Sequence, residues 1–320
     1  MIATLLEVKG WVIRFYSRYD VYVKPVLKFF LALASFFMIN AKIGFMQQLR
    51  NPLVPVALSL VCAFLPINGL VIIAGMMMIA HAFALSLETC AVVAGLLAVM
   101  YLLYFRISSR LGIVLVLVPI AYLAGLPYAV PLVGGLVFGA AAAVPAGCGA
   151  VVYYLMQYMS QNSTSLGTGE NAAGVKAVSL IESLINNKQM FLCVLAMVLT
   201  VLAVYFIKRL SVDHSWEIAI GIGSVLNIVV HLSGALLPDV TVKIVPLLLG
   251  SIVSALIAFA VKFFVFSVDY SRTERVQFED DEYYYYVKAI PKNVIAEPKK
   301  TVKKIVTQKK QAKTIKRIES

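Results

Sequence analysis

Charge is what this sequence lacks most. Asp, Glu, Lys and Arg make up 14% of its 320 residues, whereas 61% are hydrophobic and the mean hydropathy is +0.88. An average soluble domain carries about 25% charged residues, because its surface must face water. The scarcity of charge therefore excludes a soluble globular protein and indicates a polytopic membrane protein.

Motifs of common enzymes are also missing. The sequence contains no GxxxxGK[ST] phosphate loop, no HExxH zinc motif and no GxSxG nucleophile turn. Its cysteines each lie inside an apolar run, without a CxxC pair or a histidine at ligand spacing, and they are Cys62, Cys90, Cys148 and Cys193. Such cysteines are typical packing residues. We therefore expect no disulfide, no metal site, no cofactor and no enzymatic activity.

Long apolar runs are what the sequence has instead. The longest extends from Pro52 to Phe105 and contains one formally charged side chain, Glu88. A bilayer core of about 30 Å takes about 20 apolar residues per helix, so this run alone holds two or three crossings. The runs are continuous rather than alternating, which favours helices over a β-barrel. The predicted fold class is an all-α, polytopic transmembrane helix bundle.

Composition divides the chain into four regions. Residues 1–23 have the pattern of an amphipathic helix, lying either in the membrane interface or against the bundle. Residues 24–267 form the transmembrane helical domain, whose polar loop at 160–188 ends in a short amphipathic helix. Residues 268–291 are an acidic and tyrosine-rich juxtamembrane segment. Residues 292–320 are a lysine-rich tail that we expect to be disordered.

Positive charge predicts the orientation of the bundle. The basic tail, the N-terminal arm and the loop with Arg106 and Arg110 all favour the cytoplasmic side. Nine simple crossings would put the two ends on opposite sides, so one apolar piece cannot cross. The short piece at 52–65 and the polar piece at 216–237 are the two candidates for a re-entrant segment. We predict about eight crossings in the cell membrane, with both termini cytoplasmic.

Small residues and Leu-Pro pairs interrupt the apolar runs. Gly135 and Gly139 have GxxxG spacing, which favours close helix packing, with a role in lining a ligand site as the alternative. Leu-Pro pairs that end one apolar run and open another recur three times, at Leu65-Pro66, Leu126-Pro127 and Leu237-Pro238. They indicate either ordinary turns or a duplicated hairpin of the kind found in transporters.

Few polar side chains fall inside the predicted spans, and such residues are candidates for a transport path. His81 and Glu88 are seven residues apart, so they would share one face if a single helix continued through both. The alternative is a carboxylate at the interface and a histidine satisfied within the bundle. Asn227 and His231 are four residues apart and therefore share a helix face. The predicted path residues are His81, Glu88, Asn227 and His231.

The juxtamembrane segment contains four consecutive acids followed by four tyrosines, namely Glu279, Asp280, Asp281, Glu282, Tyr283, Tyr284, Tyr285 and Tyr286. The flanking β-branched and aromatic residues favour extended structure. We predict two short strands, at 274–279 and 283–289, that form a β-hairpin. Its free edge is a candidate binding surface for a strand of a partner protein.

The tail beyond residue 291 contains ten Lys or Arg residues against two acids. Each basic residue near an anionic membrane contributes about 1 kcal/mol of attraction. Anionic lipid headgroups or an acidic protein partner are therefore the expected contacts, and nucleic acid is not. A solvated tail that only sets the orientation is the alternative. The predicted contact residues are Lys299, Lys300, Lys303, Lys304, Lys309 and Lys310.

Two functions fit these patterns. In the first, the bundle is a non-enzymatic membrane platform whose cytoplasmic tail docks a protein partner. In the second, it is a permease-like subunit that moves a small solute or ion, alone or with an ATPase subunit. The unusual tail favours the first function, whereas the Pro and Gly interruptions and the four polar residues favour the second.

Overall fold

The computed structural model describes residues 2–163, 166, 175–236, 238, 240–266, 274–279 and 284–289. The chain divides into two compact units. One is Trp11–Ser267, and the other combines Met1–Gly10 with Val268–Ser320. The first unit contains the apolar helices and is the membrane unit.

Twelve α-helices and two strands occur in the described ranges. The helices are α1 (Ile2–Ile43), α2 (Gln47–Arg50), α3 (Leu53–Phe64), α4 (Ile67–Leu85), α5 (Leu87–Ser108), α6 (Gly112–Leu123), α7 (Ala129–Val137), α8 (Ala143–Gln161), α9 (Val175–Ile185), α10 (Lys188–Ile207), α11 (Ser215–Gly234) and α12 (Ile244–Phe266). A 3-10 turn (Gly139–Ala142) joins α7 to α8, and the strands are β1 (Glu274–Glu279) and β2 (Tyr284–Ala289).

Helix α1 changes character at Tyr19, whose backbone leaves the helical region (φ −115°, ψ 23°). Before this break, Trp11 and Phe15 stack along one exposed face, with ring centroids 5.5 Å apart. After it, Phe36 and Ile39 belong to a buried stripe. An exposed aromatic face is typical of a helix in the membrane interface, one of the two placements considered for residues 1–23, and the buried stripe lies in the candidate span Glu7–Ile43.

Among the described residues, seven helices are long and apolar enough to cross a bilayer: Glu7–Ile43, Ile67–Leu85, Leu87–Ser108, Gly139–Gln161, Lys188–Ile207, Ser215–Gly234 and Ile244–Val265. The chain is therefore a multi-pass membrane protein. The predicted number was about eight. The difference arises because Leu53–Phe64 and Gly112–Leu123 have 12 residues each. A helix of that length is about 18 Å long, short of the roughly 30 Å of the hydrocarbon core.

Hydrogen bonds tie the helix ends of the membrane unit into two layers. In one layer, which we call the Lys28 layer, four side chains donate hydrogen bonds: Lys28 to Leu65, Tyr104 to Asn68, Ser108 to Ala141, and Lys208 to Leu136. The opposite layer, the His81 layer, contains the bonds between His81 and Asn40, from Asn40 to Leu49, and from Lys188 to Pro238. Helix α3 begins beside the His81 layer and ends at the Lys28 layer, so the chain changes layer even along this short helix.

Helices α6 and α7 form a pair that returns to the layer where it began. α6 starts four residues after Ser108, and the 3-10 turn after α7 comes back beside it, because Ser108 Oγ donates to Ala141 O (2.6 Å). Gly125, with φ +72°, and Pro127 reverse the chain between the two helices. Of the two predicted re-entrant candidates, the piece at 52–65 is the 12-residue helix α3, which is short for a crossing. The piece at 216–237 forms a 20-residue helix, α11, and the segment that reverses is the one around Gly125.

Close packing explains most of the small residues. A Cβ at Gly135 would lie 2.9 Å from the Val201 carbonyl oxygen of α10, so backbones meet there. Gly139 has φ +76° and lies in the 3-10 turn after α7. The GxxxG pair is therefore not on one continuous helix: Gly135 provides close packing, and Gly139 provides the turn.

The polar loop leads into the helix α9, as the amphipathic pattern predicts. The face of α9 that is buried differs from the face that the spacing of its apolar residues predicts. Leu180 and Leu184 are buried, whereas Val178, Ile181 and Ile185 are exposed. Tyr158 of α8 donates to Ser183 Oγ (3.0 Å) and fixes this face of α9 on the bundle. The apolar residues left exposed are in keeping with a helix at a lipid surface.

Strands β1 and β2 pair antiparallel, with Val276 opposite Val287 and Glu279 opposite Tyr284. They lie at the segments where the sequence predicts strands, within one residue. Among the predicted partner-binding residues, Glu279 and Tyr284 to Tyr286 belong to the strands. Four others of that group and the predicted lysine contacts lie outside the described residues: Asp280, Asp281, Glu282, Tyr283, Lys299, Lys300, Lys303, Lys304, Lys309 and Lys310.

The packing of α6 on α8 generates a first prediction. A Cβ at Gly149 would lie 2.7 Å from Val118 Cβ and 2.8 Å from Leu115 O. Gly149→Ala should therefore destabilise the protein by about 1–3 kcal/mol through overpacking, seen as a lower Tm in detergent. Gly147→Ala is the matched control, because a Cβ there makes ordinary 3.5 Å contacts with Val194 and Val198. Equal Tm values for the two variants would contradict the close approach of α6 and α8.

Candidate functional site

A cavity of about 770 Å³ lies in the membrane unit beside the turn between α6 and α7. Helices α8, α10, α11 and the start of α12 complete its wall. Its lining residues are Tyr122, Gly125, Pro127, Tyr128, Tyr153, Tyr154, Gln157, Tyr158, Gln161, Asn187, Gln189, Cys193, His231, Thr241, Val242, Lys243, Pro246 and Leu247. The residues at the start of α10 and α12 belong to the side of the His81 layer. Pockets of this size accommodate small organic molecules.

Five tyrosines give the cavity its aromatic character. Tyr122 of α6 stacks on Tyr153 of α8 at a centroid distance of 4.2 Å and an interplanar angle of 10°. The near-parallel rings hold the end of α6 against the middle of α8. Tyrosine combines a flat apolar ring with a hydroxyl group, so this wall can both stack on a ligand and form hydrogen bonds with it.

A chain of polar contacts runs from the wall into α11. Tyr154 Oη lies 3.0 Å from Cys193 Sγ, and Cys193 Sγ lies 3.7 Å from His231 Nε2. His231 Nδ1 lies 2.8 Å from the Asn227 carbonyl oxygen, to which it can only donate. The histidine is thus the Nδ1–H tautomer, and its Nε2 accepts from the thiol, which in turn accepts from the tyrosine. The three side chains form one oriented series of donors.

The predicted residues of α11 behave differently from each other. His231 lines the cavity and packs edge-on against Tyr128, with centroids 5.2 Å apart. Asn227, one turn deeper, is 1% exposed, and neither its Oδ1 nor its Nδ2 has a hydrogen-bond partner among the described residues. The shared helix face predicted for these two residues is thus present, and it leads from the cavity into the bundle.

The electrostatic character of the cavity follows from its lining. Lys243 is an exposed cation at its rim, and no carboxylate is present among the described lining residues. Amide groups of Gln157, Gln161, Asn187 and Gln189 add both donors and acceptors. The lining therefore suits a neutral or anionic solute with several hydrogen-bonding groups.

The structure does not bring His81 and Glu88 together. Ser86 has an extended backbone (φ −164°, ψ 154°) and ends α4. Its Oγ then accepts from Thr89 N and caps α5, which places Glu88 in the first turn of that helix. The continuous helix required by the predicted pair is therefore absent.

His81 has a complete set of partners at the end of α4. Its Nδ1 accepts from Met46 N (3.1 Å), so its Nε2 carries the proton and donates to Asn40 Oδ1 (2.9 Å). Asn40 Nδ2 in turn donates to Leu49 O (2.7 Å). The histidine thereby fastens the turn after α1, which matches the satisfied bundle histidine considered as the alternative.

Sequence reasoning missed the five tyrosines and Cys193, which supply a third of the residues that line the cavity. The signal available was the unusual density of tyrosine and glutamine in otherwise apolar runs, at Tyr122 and Tyr128 and again from Tyr153 to Gln161. Their partners on α10 and α12 are distant in the chain, so no local spacing links them.

Comparison with protein families, with curated proteins and with solved structures finds no match to this chain. The membrane unit and its cavity are therefore interpreted from their own geometry.

Cys193 provides a direct test of access to the cavity. Cys193 and Cys148 are almost equally buried, at 5% and 6% exposure, but only Cys193 lines the cavity. In variants that keep one of these two cysteines alone, a small charged methanethiosulfonate should modify Cys193 faster than Cys148. Intact-mass spectrometry of the purified protein measures both rates. Faster modification of Cys148 would mean that water does not reach the cavity wall at Cys193.

Proposed function

We propose that this protein is a membrane permease that moves a small polar solute through the cavity of its helix bundle, without chemical transformation of that solute. The observation that carries the proposal is the 770 Å³ cavity lined with tyrosine hydroxyls and amide groups inside an apolar bundle. Polar groups in hydrocarbon are costly unless they are satisfied, so they mark paths for substrates and ions.

The broken helix pair supports the same function. Transporters commonly form their binding sites from discontinuous helices near the middle of the membrane. Here the turn between α6 and α7 contributes Gly125, Pro127 and Tyr128 to the cavity. The other end of α7 is closed, because Lys208 Nζ donates to the Leu136 carbonyl oxygen (2.6 Å). The ion pair between Lys262 and Glu217 links α12 to α11 on that same side.

These contacts support a conformation open toward the His81 layer and closed toward the Lys28 layer. The proposed transport step is a change in the contacts that close the Lys28 side, with solute held between the tyrosines of α6 and α8. An ATPase subunit is a candidate partner for such a step, as is the gradient of an ion.

Charge favours a cytoplasmic Lys28 layer. The cations on that side include Lys28, Arg106, Arg110, Lys208, Arg209 and Lys262, and those on the other side include Lys42, Arg50, Lys188 and Lys243. Counting α3 as a short crossing gives eight changes of layer, with α6 and α7 re-entrant. The membrane unit then begins and ends on the cytoplasmic side of the cell membrane, as the positive-inside rule favours.

A membrane platform that docks a protein partner is the second candidate. The observation that favours it is the two-stranded hairpin of β1 and β2, because a strand pair has free edges that can bind an added strand. In this function the lysine-rich tail contacts anionic lipid headgroups or an acidic surface of the partner.

Uptake into proteoliposomes tests the permease. The purified protein is reconstituted with a mixture of amino acids, sugars and organic acids outside, and the vesicle contents are analysed by mass spectrometry. Gln157→Ala should lower uptake of the transported solute by roughly tenfold, the effect of losing a hydrogen bond worth about 1.4 kcal/mol. Gln48→Ala is the matched control, since Gln48 is an exposed glutamine on α2 outside the cavity.

Removal of residues 269–320 separates the two candidate functions in the same assay. A permease should retain uptake without the tail, and a platform should lose its partner. If no solute of the mixture enters the vesicles faster than it enters protein-free vesicles, the permease proposal is wrong for those solute classes.

Labelling of single cysteines in intact cells tests the orientation. A membrane-impermeant maleimide should label Ser163→Cys, after α8, from outside. It should label Ser109→Cys, after α5, only once the cells are permeabilised, because that residue belongs to the Lys28 side. Labelling of Ser109→Cys in intact cells would reverse the proposed orientation.

A further inference from the structure

Four polar side chains are buried beneath the cavity without hydrogen-bond partners. Thr200 and Ser254 are fully buried, and Asn227 and Ser251 are 1% exposed. Within the part of the chain that the structure describes, the side-chain oxygen of each of these residues has no partner. Leaving a buried hydroxyl or amide unpaired is costly, so four such groups in one region require an explanation.

Thr200 and Asn227 lie at the same depth on neighbouring helices. The pairing of α10 with α11 is set by two contacts, Cys193 with His231 and Val204 with Gly223. Asn227 lies midway between His231 and Gly223, and Thr200 lies between Cys193 and Val204. A Cβ at Gly223 would be 3.7 Å from Thr200 Cγ2, so the threonine faces this stripe of α11.

Helix α12 brings the two serines to that depth as well. Its register on α11 is set by the ion pair of Lys262 with Glu217 and by the shared apolar cluster of Ala258 and Ile220. Asn227 is seven residues beyond Ile220, and the two serines are four and seven residues before Ala258. At 1.5 Å per residue in antiparallel helices, all three reach about the same level.

The four groups share one face of their helices with the cavity. Asn227 lies one turn below His231, Thr200 two turns below Cys193, and Ser251 one turn below Leu247, each at helical spacing. The unpaired oxygens thus belong to the faces of α10, α11 and α12 that continue beneath the cavity, where α7 packs against both α10 and α12.

We infer that Thr200, Asn227, Ser251 and Ser254 form a binding site for a sodium ion. Hydroxyl and amide oxygens are hard neutral ligands, which suit a hard cation. The described residues contain no group of three or more His, Cys, Asp or Glu side chains that would hold a divalent or transition metal. A single positive charge can be carried by neutral oxygens alone, with Asn227 Nδ2 left to donate to a water ligand or to solute above.

The position of the site gives it a function in transport. An ion between α10, α11 and α12 would draw these helices together under the solute, next to the chain of Tyr154, Cys193 and His231. Sodium would thereby be coupled to solute binding. This coupling rests on the proposed permease function, whereas the ion site itself does not.

Thermal unfolding of the purified full-length protein tests the site directly. NaCl, KCl and choline chloride are compared at one total ionic strength. Because a ligand that binds only the folded state stabilises it in proportion to ln(1 + [L]/Kd), Tm should rise with the logarithm of the Na⁺ concentration and not with that of K⁺ or choline. Asn227→Leu and Ser254→Ala should abolish the rise. Asn227→Leu should still fold, since replacing an unpaired buried amide by an apolar side chain leaves no unsatisfied group.

Ser224→Ala is the matched control, because Ser224 lies on α11 and its hydroxyl already donates to the Ile220 carbonyl oxygen (2.8 Å). This variant should keep the full response to Na⁺. An equal response to the three salts, or a response that survives in both site variants, would overturn the sodium site. If neither site variant folds, equilibrium binding of ²²Na⁺ to the wild type decides, and no saturable binding would overturn it.

The outcomes separate this site from the permease function. A Na⁺-dependent Tm together with absent uptake would retain the ion site and reject the permease. Uptake that is independent of Na⁺, together with a Tm that does not respond to Na⁺, would retain the permease and reject the ion site.

Discussion

In the hydrocarbon core of a bilayer, a polar group without a hydrogen-bond partner in the protein has no water molecule to bond to instead. The structure of the membrane unit follows from this constraint. Backbone groups are satisfied by long helices, and side chains at helix ends complete the carbonyls that a break leaves open. Lys208 Nζ donates to the Leu136 carbonyl oxygen at the end of α7. In the turn after α1, Asn40 Nδ2 donates to the Leu49 carbonyl oxygen, and His81 holds that asparagine while its own Nδ1 accepts from Met46 N.

The same constraint makes the exceptions informative. The helices α6 and α7 reverse inside the bundle at Gly125, and the lining of the space they leave includes five tyrosines and four side-chain amides as well as apolar residues. Beneath it, four neutral polar side chains on α10, α11 and α12 have no partner among the described residues. A cavity that offers hydrogen bonds and a layer of free oxygens below it fit a solute and a cation held one above the other. The proposed permease for small polar solutes would unite both features.

The histidines illustrate why a residue type is a weak guide to function. His81 and His231 are both buried in the membrane unit. Both ring nitrogens of His81 form hydrogen bonds with the turn after α1, so this histidine has a structural role. His231 directs Nε2 to the thiol of Cys193 and packs edge-on against Tyr128 in the cavity wall. The neighbours brought by other helices, rather than the local sequence, distinguish the two.

The membrane class, the helical architecture, most helix bounds and the strands at 274–279 were determined by the sequence itself, because hydrophobicity and residue period act locally along the chain. The shared face of Asn227 and His231 followed for the same reason, from helical spacing alone. Tertiary structure alone decided which apolar piece reverses, because a 12-residue apolar run has the same sequence pattern whether it crosses the bundle or returns. The hydrogen bond from Ser108 to Ala141 shows that the chain returns after α6 and α7. It also decided that Tyr154, Cys193 and His231 meet and that Thr200, Asn227, Ser251 and Ser254 are buried without a hydrogen-bond partner among the described residues. These contacts depend on the register of antiparallel helices, which is set by side chains far apart in the chain.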